Sequence, residues 1–594
     1  MKKWFSMLLV VAMVVSIFAG CGKKVTTNDP VSSSTSSNSE AKQDETKVEE
    51  KEEPTVITLG ATNTLQMDPI PWYETEIWKV ILEEANVELE FIQYDEETFN
   101  LMLSSGDLPD IVFSTFGAKV DDIVKGGLAL DLAPYIDEYA PNMALDIYKQ
   151  RNELVVYTKG GEDKALYFVA PRIGVENARG GTDSSRGYNI RWDYYKELNC
   201  VEFKNDDEYI DVLEQMVKAH PETETGEKTY AMGLYDNLSI WNTRAAFVKP
   251  VLGNIWTFSG SQYMSSYVDG HLINGYTETE ESAYWTDMKF YNKLYNKGLL
   301  DPDSFTQTVE EYYDKVYAGR YMATPTKVNG FYNENVKADP ETLAGMIRVP
   351  TEAHIVFGNK KLMTGNFPNN YLFVSKDTEN LEAVMRFLNV IHDLDIQRML
   401  ASGIEGVHWN YENGVPRYTE EVKNMIATKD PKLTEEIGIT LYAGFEPLAA
   451  SFEHPDGYPI CLNDSDEVRA ETDSYLMKDV ANYYGAEYGA QAVFKLVEEG
   501  RTIDASNDCG QLIASVMPVQ PTDVSRTLEK LNDILYRAIP ELVMAADEAA
   551  FEAVQARVIK DLEAAGAAEA WEWCSTEYYK AREEILPIFE AVTW

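Results

Sequence analysis

Between Thr55 and Thr115 the chain alternates between two kinds of hydrophobic pattern, and that alternation limits the folds open to it more than any other feature. TVITLGA (Thr55 to Ala61) is a β-branched run of strand length, followed by the polar turn NTLQMDPIP. YETEIWKVILEEAN then places Ile77, Val80 and Ile81 at helical spacing. VELEFIQY alternates as a second strand, EETFNLMLSS reads as a helix and PDIVFST as a third strand. Strands separated by amphipathic helices predict an α/β lobe with a largely parallel sheet. Ligands of such sheets sit beyond the carboxyl ends of the strands. The loops after the first and third strands, with Trp72, Tyr73 and Thr115, are therefore expected to face a ligand.

Upstream of this lobe, Lys2 and Lys3 precede an uncharged run from Trp4 to Phe18, the build of a secretory signal. Ser6, Ser16 and Gly20 break the run before it reaches the about 20 apolar residues that a spanning helix needs. The small pair before Cys21 resembles a bacterial lipobox, with Phe18 where that pattern prefers Leu. The resemblance implies cleavage after Gly20 and a diacylglycerol on Cys21. From residue 22 to 53 the chain is Ser, Thr, Asn, Lys and Glu with almost no large apolar side chain; it cannot offset its ordering entropy and reads as a flexible tether. The expected division is a signal over 1–20, a lipidated cysteine and disordered tether over 21–54, and a folded body from Thr55.

About 540 residues exceed what one hydrophobic core usually holds, so two or three packed units are expected. The composition, 45% hydrophobic and 12% aromatic, is that of a globular body. A formal charge of −46 repels polyanions, whereas binding to phosphate backbones depends on Lys and Arg clusters; no nucleic-acid partner is expected. The four cysteines beyond Cys21, at 200, 461, 509 and 574, are too few and too far apart for a disulfide framework. Free buried thiols are the expected state, with a Cys461–Cys509 bridge as the alternative.

LMLSSGDLPDIVFSTFGAKVDDIVKGGLALDLAPYIDEYAPN (Leu101 to Asn142) resembles the extracellular solute-binding proteins of ABC importers. The likeness is to the large lipoprotein branch of Gram-positive bacteria, similar to the family-1, carbohydrate-associated group. YNIRWDYYKELN (188–199), GLLDPDSF (298–305), YLFVSKDTENLEAVMRFLNVIHD (371–393) and GIEGVHW (403–409) extend the resemblance over most of the body. It implies an α/β, two-lobed periplasmic-binding-protein-like fold of type II, with the ligand cleft between the lobes. On that pattern lobe one holds 55–187 plus 362–460, and lobe two holds 188–361 plus 461–594. It also implies a lipid-anchored, monomeric receptor on the extracellular face of the cell membrane. Such a receptor captures a solute, an oligosaccharide foremost, and hands it to ABC transporter permease subunits. Where relatives carry a calcium loop, HPETETGEKTYAMGL (220–234) lacks the Asp-x-Asp-x-Asp-Gly spacing, and no metal or other cofactor is expected.

H-E-x-x-H, G-x-S-x-G, G-x-G-x-x-G, Walker A and C-x-x-C motifs are all absent from the sequence, and the expected protein is not an enzyme. A surface polysaccharide-degrading enzyme is the competing reading, because its two carboxylates need a separation that sequence does not reveal; a peptide-sensing receptor of the same superfamily is a third. In DPDSF, Asp303 or Ser304 is expected to cap the helix TQTVEEYYDKVYAG. Trp72, Trp192, Trp241, Trp256 and Trp409 lie in loops or crossings, where a sugar ring would need flat aromatic platforms beside polar groups. The competing reading is that each is packed with its N–H bonded locally. Trp78, Trp571 and Trp573 fit core faces. Glu405 and Trp409 in GIEGVHW are assigned to the ligand by the resemblance. Arg191 and Asp193 match the family pattern at the lobe crossing, where bracing the hinge and touching the ligand are equally open.

Overall fold

A computed structural model describes residues 53–62, 67, 69–174, 188–239, 242–243, 254–257, 263–267, 269–325, 343–353, 363, 367, 370–428, 430–441, 444–501, 509, 512–513, 516–518 and 520–591. The chain divides into two compact units, Met1–Glu52 and Glu53–Trp594, and every described residue belongs to the second. The expectations for the signal, for Cys21, for nearly all of the tether and for Trp241 lie outside the described residues.

The first core is built as the alternation predicts. Strand β1 (Thr55–Thr62) pairs in parallel with β2 (Val87–Tyr94) on one side and with β3 (Ile111–Ser114) on the other. The helix Glu76–Ala85 between β1 and β2 buries Ile77, Trp78, Ile81 and Ala85, which fall on one stripe of a 3.6-residue helix. Val80 does not belong to that stripe: it is 37% exposed, whereas Trp78 is buried as expected. Asp95 opens the helix Glu96–Ser105 by accepting a hydrogen bond from the Thr98 amide, and Gly106, at φ 75°, closes it in the left-handed region.

Tyr188 leads into a second core. Strand β4 (Asn189–Arg191) meets the carbonyl of Met322 through the Arg191 amide at 2.8 Å. Parallel bridges Tyr230↔Tyr321 and Met232↔Leu300 continue this sheet. Strands β5 (Asn254–Thr257), β6 (Met264–Tyr267) and β7 (Leu272–Asn274) form a separate antiparallel sheet. Strand β8 (Met346–Arg348) pairs antiparallel with β4. Three long helices, Thr522–Val543, Glu548–Ala565 and Ala567–Ala591, complete this half. The first of them presents Leu528, Leu531, Leu535, Ile539 and Leu542, a stripe that packs on the helix Ala283–Asn296. Its end is fixed by the Asn292 amide nitrogen, which lies 3.2, 3.0 and 2.8 Å from the carbonyls of Leu542, Val543 and Ala545.

Strand β9 (Tyr371–Val374) returns to the first sheet, antiparallel to β3, and gives the order β2-β1-β3-β9. The hairpin β10 (Trp409–Glu412) and β11 (Val415–Tyr418) follows it. Its two-residue turn has Asn413 at φ 54° and Gly414 at φ 84°, as a type I′ turn requires. Around these elements the apolar side chains separate into two large clusters, one from Ile57 to Val468 and one from Leu154 to Phe589. The clusters do not follow the chain order strictly. Leu462 and Val468 pack in the first core and Met363 in the second, because the helical turn and helix at 462–472 lie against the elements that follow β9. The helix Asp146–Lys159 sends Val155 to the first core and Leu154 to the second.

The four described cysteines are buried, Cys200, Cys461 and Cys574 as free thiols. Among the described residues no helix is long and apolar enough to cross a membrane, and no group of three His, Cys, Asp or Glu side chains is placed to hold a metal ion.

Candidate functional site

The carboxyl ends of β1 and β3 lie on one edge of the first sheet. Thr115 and Phe116 continue from β3 across that edge, both half-buried. The Phe116 amide donates to Ser114 Oγ at 3.1 Å, and the Tyr371 hydroxyl donates to the Phe116 carbonyl at 3.1 Å, so the strand exit is held on both sides. Tyr73 is half-buried, with its ring 5.8 Å from that of Phe91.

Segment 444–449 starts beside β3, where Phe445 packs near Phe113. Gly444, at φ 81°, sits so close to Phe113 that a Cβ there would lie 2.6 Å from the phenyl ring, and only glycine combines that conformation with that approach. Two residues on, the segment pairs with the chain leaving the first lobe. The Arg172 amide donates to the Glu446 carbonyl at 2.6 Å and the Ile173 amide to the Pro447 carbonyl at 2.9 Å, while the Ala449 amide returns to the Ile173 carbonyl at 2.8 Å. Arg172 holds φ 59°, a left-handed conformation that costs free energy for a residue with a Cβ.

The side chain that this pairing buries is a carboxylate. Glu446 is 15% exposed, with Oε1 3.8 Å from Nε of Arg172, itself 39% exposed. Its Oε2 is buried and has no hydrogen-bond partner among the described residues. Burial pushes the Glu446 carboxyl up to about 7, with Arg172 opposing the rise. Chemically, the arrangement offers an acceptor pair, one oxygen near a guanidinium and the other without a donor among the described residues.

The residues expected to bind ligand divide sharply. Trp72 is fully buried. The 3₁₀ turn Trp72–Glu74 sets its indole 4.6 Å from Trp78, 5.6 Å from Phe91 and 6.1 Å from Phe445, so it is core and offers no platform. Trp192 is equally buried; its Nε1 donates to Asp479 at 2.8 Å, and the same carboxylate pairs with Lys196 at 2.7 Å. Trp409 is 4% exposed, donates through Nε1 to the Gly403 carbonyl at 2.8 Å and lies under the Arg398 guanidinium. Each of the three indoles has packing partners or a hydrogen-bond acceptor far along the chain or across a tight turn. Glu405 is exposed, on the turn that Trp409 closes.

Arg191 forms a two-pronged pair with Asp193, at 2.8 and 2.7 Å, and reaches the Gly319 carbonyl at 3.2 Å. Its guanidinium carbon stacks 3.6 Å from the Tyr194 ring centroid, and Tyr194 stacks in turn on His220. The contacts are those of a brace. Trp256 lies in β5, and its side chain is outside what is described. The DPDSF motif is structural, although its caps differ from expectation. Asp301 caps the short turn 302–305 and accepts from Lys315 and Tyr321, and Thr308 caps the following helix in a capping box with Glu311.

Sequence reasoning missed Arg172, Gly444 and Glu446. The available signal was faint: one acidic residue inside the apolar stretch GFEPLAA and one Arg inside APRIG, neither of which belongs to a periodic pattern.

No family model matches the chain. By sequence it is similar to lipoprotein LipO of Bacillus subtilis, 22% identical over 55% of this chain and 61% of that protein. It is likewise similar to the fructooligosaccharide ABC transporter substrate-binding protein FusA of Streptococcus pneumoniae, 23% identical over 51% of this chain and 53% of FusA. A third relative, the polygalacturonan/rhamnogalacturonan-binding protein YtcQ of Bacillus subtilis, is 22% identical over 53% of this chain and 59% of YtcQ. The chain thus spans less than two thirds of the length of the curated relatives it matches. Among solved structures, that of a FusA EF-hand mutant in complex with fructo-nystose covers 89% of this chain and 100% of its own, with a TM-score of 0.58 and 17% identity. The fold is accordingly the two-lobed α/β fold of solute-binding proteins.

Proposed function

We propose that the chain is the lipid-anchored receptor of an ABC importer, which captures an oligosaccharide between two lobes, closes over it and presents it to permease subunits. The observation that carries this reading is the pairing of two separate cores with the two-lobed fold, similar over 89% of the chain to a sugar-binding importer component. The names of the relatives support the cargo class and the lipoprotein character. Lobe one is 55–187 plus 367 to about 470 and lobe two the remainder, with Tyr73, Thr115 and the Arg172–Glu446 crossing turned to the ligand. The receptor is a monomer at the extracellular face of the membrane, held by Cys21, and it does not turn its ligand over. A permease distinguishes loaded from empty receptor only if ligand binds the closed state better than the open one.

A thermal-shift screen over a glycan and peptide library, with an assay for new reducing ends on each glycan hit, tests the reading. A shift without new ends is expected. New reducing ends would establish the polysaccharide-degrading enzyme instead, and shifts with peptides alone would establish a peptide receptor. For the anchor, Cys21→Ala should release the protein to the medium or leave its signal uncut; wild-type protein that carries no lipid mass on Cys21 would remove the anchor from the account.

A further inference from the structure

Glu446 sits where a carboxylate is expensive to keep. A buried charge that is not fully paired costs free energy, and the native answer is to satisfy each oxygen with donors. Here Oε1 has a guanidinium at 3.8 Å that is itself 39% exposed, beyond hydrogen-bond range. Oε2 has no hydrogen-bond partner among the described residues. The backbone on either side is held by Gly444 against Phe113 and by the pairing of Arg172 and Ile173 with 446–449. Gly444, two residues before it, closes on Phe113 near the carboxyl end of β3, the end at which open α/β sheets receive ligands. A donor arriving with a ligand would complete the site.

The ligand class follows from charge. Sugar hydroxyls donate to a carboxylate in hydrogen bonds that are shorter and stronger than neutral ones. A uronic acid brings a second carboxylate into the same desolvated space, and like charges there disfavour one another. The field of a chain with formal charge −46 adds to that exclusion at longer range. We infer that Glu446 is a ligand contact that selects neutral, polyhydroxylated oligosaccharides and excludes uronate-containing ones. This rests on the receptor reading above and deepens it: of the chemistries in the relatives' names, it favours the neutral fructooligosaccharide over polygalacturonan.

The test is calorimetry at pH 8 on the full chain and on Glu446→Gln, with 1-kestose, maltotriose, cellotriose and xylotriose as neutral probes and trigalacturonate as the acidic one. At least one neutral probe should bind wild type and trigalacturonate should not. Glu446→Gln should bind that neutral probe at least tenfold more weakly while melting no lower than wild type, which separates a lost contact from a lost fold. Equal affinity in the variant overturns the assignment of Glu446 and leaves the receptor standing. Binding of trigalacturonate to wild type overturns the selectivity. Binding of none of the five overturns the inference together with the cargo class on which it rests.

Discussion

Replacing Glu446 by Gln isolates the cost of one buried charge, because the amide has the shape of the protonated acid and none of its titration. Burial holds this carboxyl at about 7 against an ordinary 4.5. The folded protein therefore binds the proton more tightly than the unfolded chain does, and between those values it carries more protons. Stability falls as pH rises wherever the folded state is the more protonated, so wild type loses stability from about pH 4.5 to about pH 7 and stays at the lower level above. At roughly 1.36 kcal/mol per pH unit the loss is on the order of 3 kcal/mol. Glu446→Gln has no such loss. Thermal melts of the two proteins should coincide near pH 4 and diverge through neutrality, with the variant the more stable at pH 8 by up to that amount. A difference that does not change with pH would refute the reasoning, as would a variant less stable than wild type at pH 8, which would make Glu446 a net stabiliser through Arg172.

Gly444→Ala should destabilise the protein by about 1–3 kcal/mol, the usual range for a strained backbone position, because φ 81° and the 2.6 Å approach to Phe113 both oppose a Cβ; an unchanged denaturation midpoint would count against the crossing geometry. Trp72→Ala and Trp409→Ala should each cost about 3–5 kcal/mol of stability, as large aromatic truncations in a core do. Wild-type midpoints with sharply weakened sugar binding would return these residues to the cleft. Asp479→Ala strips the Trp192 indole of its acceptor and should cost about 1–3 kcal/mol, read by denaturation; a neutral outcome would show that water replaces the carboxylate.

The first lobe was legible because its code is local. Strand-length runs at Thr55, Val87 and Ile111, separated by helices of the right length, specify a parallel sheet almost by themselves, and Asp95 and Gly106 mark helix ends by rules that need no distant partner. The sequence left the tryptophans open between cleft and core because their burial is decided at long range. Trp409 stands among Gly, His and Asn, which suggests exposure, yet Gly403 lies six residues back with its carbonyl in reach and Arg398 covers the ring. Trp192 is held by a carboxylate 287 residues away, beyond any periodicity argument. Val80 lost its expected place on the buried face while Trp78 kept its own, because an aromatic buries more area than a valine at a neighbouring position on the helix. Glu446 left almost no trace, since a single charge in an apolar stretch is meaningful only once the stretch is known to line a crossing.

Small-angle X-ray scattering of the body, before and after saturation with a sugar found by the screen, tests the two-lobed receptor most directly. Closure of two lobes over a ligand predicts a smaller radius of gyration in the saturated protein and a return to the open value when the sugar is dialysed away. A radius that stays the same at saturation, with binding verified by calorimetry in the same sample, would contradict hinge closure as the mechanism.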